Sequence, residues 1–341
     1  ETAYFSYTNR CNTLPEQMEE DFLEQFPTLE ESNLSIEKLE NFNWPKFNKF
    51  ENQSIEEFKK EIFSIIHKEF KFQTSALQPQ KCKDFKFNLF RVRELSSFTN
   101  VDIFSEHSYP PINLTKMGRC NFPKTPVFYC SNDPGTALLE IIRENNFKNK
   151  KYCISRWKVK YTEEYLFFEN FLRKKLPKEN LFKDLNANLF DQLDKTFEKK
   201  LSESQLKGTI KYLEFLDKCF IDDDNYSLSA TLAHESLFRN HETRTDILAY
   251  PSRQTESKGV NFAINPNFVN NNMFVDRFYV IETNSISENK DKYNISFHNY
   301  GNVINRLIQW KKITKKDDVF EEFIKSDFGQ SFYESIQTNN D

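Results

Sequence analysis

Three blocks stand out from a chain otherwise dominated by Phe, Asn and Lys. The first is Leu89-Phe-Arg-Val-Arg93. The second is Gly118-Arg-Cys-Asn-Phe-Pro-Lys-Thr-Pro-Val-Phe-Tyr129, running on through Thr136-Ala-Leu-Leu-Glu140. The third is Asp246-Ile-Leu-Ala-Tyr-Pro-Ser-Arg253, running on to Gly259-Val-Asn261. Arg91 and Arg119 each offer a planar, two-pronged donor that matches phosphate oxygens. Tyr129 combines a face for stacking with a hydroxyl for hydrogen bonding. Ser252 follows a Pro in a turn and has no His or second base in its block, which suits a hydrogen-bond donor better than a nucleophile. Three of the 6 glycines, Gly118, Gly135 and Gly259, fall within or beside these blocks. In so glycine-poor a chain they mark backbone that needs unusual angles or close approach.

The elements that must hold these blocks alternate between strand and helix. Phe85 to Arg93 reads as a strand with Phe85, Phe87, Leu89 and Arg91 on one face, which Arg93 shares. Val127 to Cys130 is a short buried strand. Asp133 as N-cap and Pro134 at the first helical position then open a helix. Its apolar stripe is Ala137, Leu138, Ile141 and Ile142, and Glu140 lies off it. Lys151 to Tyr161 is a further strand. Asp246 to Tyr250 and Gly259 to Ile264 are strands flanking a polar loop, and Met273 to Glu282 with Tyr293 to Phe297 adds sheet.

The surroundings are helical. Residues 1–84 read as a polar N-terminal extension, with Met18, Phe22, Leu23 and Phe26 at helical spacing after Leu14. A second helix covers Ser54 to Phe70 and opens on a capping box of Ser54 and Glu57. A helical insertion occupies about 160–228, patterned by Leu185, Leu189, Leu193 and Phe197, then by Leu206, Ile210, Leu213 and Leu216. Ser227 to Arg239 is another helix, and the C-terminus is helical again. The expected class is α+β: a small mixed sheet in a domain of residues 85–341, with helices inserted and appended.

Composition narrows the partners. The 341 residues carry 47 basic and 51 acidic side chains, so nothing resembles the basic footprint of a nucleic-acid binder. No apolar run approaches the roughly 18 to 20 residues needed to span a bilayer, so no membrane is expected. Neither G-x-G-x-x-G nor G-x-x-x-x-G-K-[ST] occurs, and a nucleotide would have to be held by another device. The 6 Cys form no C-x-x-C pair, and the 5 His, among them His234 and His241, are scattered. No metal site is expected, and free thiols in a reducing cytoplasm are. The opening Glu1-Thr-Ala-Tyr-Phe lacks the basic-then-apolar layout of a secretory signal. The run Lys148-Asn149-Lys150-Lys151 reads as a solvated turn.

Taken in order, the blocks resemble the RES-domain family. That pattern is a strand bearing a hydrophobic residue and Arg, then G-x-R-W-N-x-x-G-x-x-V-x-Y, then A-x-x-E on a helix, then D-x-x-x-Y-P-S and a downstream Asn. Arg91, Gly118, Arg119, Asn121, Tyr129, Ala137, Glu140, Asp246, Tyr250, Ser252 and Asn261 match in sequence. The departures are one residue fewer between the Gly and the Arg, Cys120 where an aromatic is usual, and Lys124 or Thr125 where a Gly is expected. The resemblance implies a fold like that of ADP-ribosyltransferases and cleavage of NAD at the nicotinamide–ribose bond, by water or by phosphate. It implies NAD as substrate rather than cofactor, and a toxin whose partner is a cognate antitoxin or other regulatory protein; it leaves oligomer formation open. Arg91, Tyr129, Glu140 and Ser252 are then the expected catalytic residues, and Arg119, Asn121, Arg253 and Asn261 the NAD-binding ones. Loss of nicotinamide develops an oxocarbenium-like ribose, and Glu140 is the carboxylate expected to face it. All of this requires Arg91, Arg119 and Glu140 to converge on one dinucleotide-sized cleft. A protein ADP-ribosyltransferase and a non-catalytic RES-like module are the competing expectations.

Overall fold

Capping chemistry fixes where the helices begin. Thr28 and Glu31 form a capping box that opens α1 (Leu29–Glu40). Ser54 and Glu57 form the expected one ahead of α2 (Ile55–Glu69), with Ser54 N donating to Glu57 Oε2 at 3.0 Å and Glu57 N to Ser54 Oγ at 3.1 Å. The computed structural model describes residues 23–47, 54–71, 77–142, 147–148, 150–172, 175–186, 189–197, 199–240, 244–288, 293–305, 307–314 and 317–338. Of the helix expected around Leu14 to Phe26, residues 14–22 lie outside these. Leu23 is helical, and a turn over Glu24 and Gln25 then leaves the helix, with Phe26 N donating to Leu23 O at 3.2 Å.

The chain divides into two compact units. The first holds residues 1–79, 115–125 and 167–250, the second residues 80–114, 126–166 and 251–341. Strand β1 (Leu77–Lys81) lies at the passage from the first to the second.

In the first unit, α1 packs on α5 (Glu203–Asp222). Ser32 Oγ donates to Gly208 O at 2.9 Å and Leu29 N to Ser204 Oγ at 3.2 Å. A side chain at Gly208 would run into the backbone of Pro27 and Thr28, so glycine is what permits this approach. Phe70, after α2, stacks on Tyr212 at 4.0 Å. The N-terminal helices and the helical insertion, far apart in the chain, thus share one unit. It also contains α4 (Leu189–Thr196), α6 (Ser227–Phe238) and a parallel strand pair, with Phe168 of β5 (Tyr165–Asn170) opposite Ile247 of β6 (Ile247–Pro251).

The second unit is built on an antiparallel sheet in the order β7-β3-β2-β4-β8-β9-β10. Its strands are β2 (Leu89–Glu94), β3 (Phe128–Ser131), β4 (Lys151–Val159), β7 (Val260–Ile264), β8 (Met273–Ile286), β9 (Tyr293–Ile304) and β10 (Leu307–Lys312). Helices α3 (Pro134–Ile141) and α8 (Asp318–Phe328) cover one face. There Ala137, Leu138, Phe320 and Ile324 join Phe90, Val92, Ile154, Tyr279, Ile281, Ile295 and Tyr300 in a single apolar cluster. Helices α7 (Pro266–Asn272) and α9 (Gln330–Thr338) complete the unit.

The chain is therefore mixed α/β with mostly antiparallel strands, but its sheet is larger than the small one expected. β1, β5 and β10 were not anticipated, and β8 and β9 run past their expected ends. The stripe of α3 also differs, because Leu139 is buried while Ile141, in the last turn, is 47% exposed. Among the described residues, no helix is long and apolar enough to cross a membrane.

Candidate active site

Glu140 is reached by building upward from Asp133. The Asp133 carboxylate accepts Thr136 N at 2.8 Å, Pro134 takes the first helical position, and α3 starts where its sequence says it should. Two turns later Glu140 stands half-buried near the C-terminal end of the helix. A carboxylate is disfavoured there by the exposed carbonyls of the last turn. Two donors offset this. Ser252 Oγ donates to Glu140 Oε1 at 2.7 Å and Asn261 Nδ2 donates to the same oxygen at 2.8 Å.

Both donors are fixed by their own elements. Asn261 lies on β7 directly opposite Ser131 of β3, and the Ser131 hydroxyl donates to Asn261 Oδ1 at 2.6 Å. The amide nitrogen is thereby turned toward Glu140. Ser252 is fully buried in the turn between β6 and β7. Its N donates to Gly259 O at 3.0 Å and its carbonyl accepts Ser257 N at 2.8 Å. Gly259 has no room for a side chain, because a Cβ there would collide with Thr136 in the first turn of α3. Asn132 Oδ1 accepts Val260 N at 2.9 Å and completes the frame.

Arg91 is held differently. Phe90 registers with Ser131 and packs under α3, so strand alternation carries Arg91 to the opposite face, where its guanidinium lies 5.5 Å from the centre of the Phe128 ring. The ladder between β2 and β3 is reduced to that one position, and Arg91 NH1 donates to the carbonyl of Tyr129 at 2.9 Å. Burial, with a smaller contribution from Arg93, pulls its pKa down to about 10, so it is still a cation at neutral pH. Its Nε is buried without a partner, and among the described residues no carboxylate pairs with it. Such a group favours an anion. Arg93 is engaged instead, with the carbonyls of Glu106 and Ser97 and with the face of Phe98 at 4.2 Å. Tyr129, half-exposed, shares the Ser131 face by strand alternation.

The structure thus brings Glu140, Ser252 and Asn261 into one hydrogen-bonded cluster, sets Tyr129 on the same face of β3, and puts Arg91 on the other face of that strand. Ser252, expected to serve the substrate, donates to Glu140. Arg253 is exposed in the adjoining turn. Arg119 and Asn121 belong to the first unit. Arg119 donates to Phe220 O and lies 5.4 Å from the centre of the Tyr226 ring. Asn121, expected on NAD, is 3% exposed and donates Nδ2 to Lys116 O at 2.7 Å and to Phe122 O at 2.8 Å, so its amide serves its own loop. Asp246 holds strands together: its carboxylate accepts Phe167 N at 3.0 Å, and burial raises its pKa. Sequence reasoning missed Ser131, because a lone Ser ending a strand carries no motif signal. It also left open which residue replaces the family's glycine, and Lys124, at φ 63, has the glycine-like backbone.

No curated protein matches the chain. Residues 88–272, more than half of its length, match the RES domain. That span opens just before Arg91 and contains Glu140, Ser252 and Asn261, the residues the structure gathers. The chain belongs to the RES domain family.

Proposed function

We propose that this protein cleaves the nicotinamide–ribose bond of NAD, passing the ribosyl group to water or to phosphate, and so acts as a toxin or defence effector that depletes NAD. The observation that carries this is the grip of Ser252 and Asn261, 112 and 121 residues downstream, on the Glu140 carboxylate. In the reaction the bond between ribose C1′ and the pyridinium nitrogen breaks, its electron pair leaves with neutral nicotinamide, and positive charge develops on the ribose. A carboxylate oriented by two donors stabilises that charge without having to reorganise. The oxygen of water or phosphate then bonds to C1′, and with water a proton is released. Arg91, a half-buried cation whose buried Nε has no partner, suits the pyrophosphate. The likeness to an ADP-ribosyltransferase fold belongs to this same proposal.

The test is nicotinamide release from NAD alone, with and without phosphate. Glu140→Gln is expected to bind NAD normally and lower kcat roughly 10²- to 10⁴-fold. A Glu140→Gln variant that no longer binds NAD contradicts the assigned role. Turnover that appears only with a protein acceptor identifies a transferase, and unaltered turnover in Glu140→Ala and Arg91→Ala leaves a non-catalytic module.

A further inference from the structure

We propose that Ser131 is a positioning residue of this site: its hydroxyl holds the side-chain amide of Asn261 the one way round that presents N–H to Glu140. Ser131 acts on chemistry only if Glu140 has the role proposed above.

The hydrogen bonds have a direction. An ionised carboxylate only accepts, so Asn261 must offer it nitrogen and turn its carbonyl away. That carbonyl, buried with the rest of Asn261, meets the Ser131 hydroxyl at 2.6 Å. Ser252 donates to the same carboxylate oxygen, so the order runs from Ser131 through Asn261 to Glu140 and from Ser252 to Glu140. Without the Ser131 hydroxyl the amide loses the donor that keeps its carbonyl inward. Turning over would then set a carbonyl against a carboxylate, and the general base or cation stabiliser would lose its orientation.

Ser131 is well placed to be rigid. It is 2% exposed, registers with Phe90 of β2 on one side, and faces Asn261 of β7 on the other. Its two successors serve the same frame, Asn132 by accepting Val260 N and Asp133 by capping the helix that carries Glu140. Three consecutive residues therefore hold β7, the amide of Asn261 and α3.

The test compares the full-length wild type, Ser131→Ala and Ser131→Thr in two ways. The first is steady-state nicotinamide release from NAD. Ser131→Ala is expected to lower kcat about tenfold, the size of one orienting hydrogen bond, with KM within about twofold, and Ser131→Thr to restore kcat. The second needs no turnover: the ¹⁵N side-chain amide signals of Asn261, identified by their loss in Asn261→Asp. They are expected to shift and exchange faster in Ser131→Ala and to return in Ser131→Thr. Unchanged Asn261 signals in a folded Ser131→Ala variant overturn the proposal, as does a loss of kcat that threonine does not rescue. A wild type that releases no nicotinamide overturns the NAD reading alone, and the amide signals then decide the role of Ser131.

Discussion

Lys124 adopts φ 63, in the left-handed region where a β-carbon costs about 1–2 kcal/mol, and it does so where the RES pattern has glycine. Its N donates to Thr115 O at 3.1 Å, so the conformation closes the loop that carries Arg119 and Asn121. Lys124→Gly is expected to stabilise the chain by about 1 kcal/mol, the relief of strain less the extra freedom glycine gains when unfolded. Urea unfolding at pH 7 checks this, and unchanged or lower stability counts against it. At the same scale the ordered motif named Glu140, Ser252 and Asn261, and they meet. It could not say what each side chain touches. The pattern fits a loop-holding Asn121 as well as a ligand-binding one, and it favours Arg91 over Arg93 without showing that Arg93 is already occupied by the carbonyls of Ser97 and Glu106.

Among the elements, α3 was legible because its start is written in short-range chemistry: Asp133, Pro134 and the apolar residues behind them. The capping box of α2 was legible for the same reason, whereas the box of Thr28 and Glu31 went unread and α1 with it. β1, β5 and β10 were not. The sequence of β1, Leu-Gln-Pro-Gln-Lys, contains the proline that argues against a strand. β5 follows polar residues and leads into helical periodicity. β10 is the last strand of its sheet, and Lys311 and Lys312, which suit an exposed edge, blur the alternation that would have revealed it. The contact between the β6–β7 turn and α3 yields a prediction that belongs to elements rather than residues. Gly259→Ala must displace Thr136 at the start of α3, and with it the helix that presents Glu140. The expected result is a loss of about 1–3 kcal/mol of stability, as for other overpacked sites, and a fall in NAD turnover larger than that of Gly301→Ala, a control remote from the cluster. Turnover equal to wild type would show that α3 and the turn are not coupled.

Across the whole molecule, each unit contains a histidine kept neutral, half-buried in the first and fully buried in the second. His107 in the second unit and His234 in the first both have their pKa lowered to about 4, chiefly by burial. Their usual value of 6.5 applies once the chain unfolds. Between these limits the unfolded state binds more protons, so stability is complete above pH 6.5 and lost as pH falls toward 4. His107, 1% exposed, accounts for about 2 kcal/mol of that loss between pH 7 and pH 5, and His234 adds in the same direction. Urea midpoints at the two pH values check this. His107→Gln should flatten the acid slope, and a slope identical to wild type would put the titration elsewhere.

The chain passes between its two units five times, and neither unit is made of one continuous stretch. Synthesis from the N-terminus therefore exposes an incomplete protein for most of its length. Glu140 leaves the ribosome 121 residues ahead of Asn261, and at about 5–20 residues per second it waits on the order of ten seconds for its last partner. The ribosome cannot carry an assembled centre until Asn261, 121 residues after Glu140, has been made. A nascent chain cut short before that point would carry the helix and its carboxylate but not the donors that orient it.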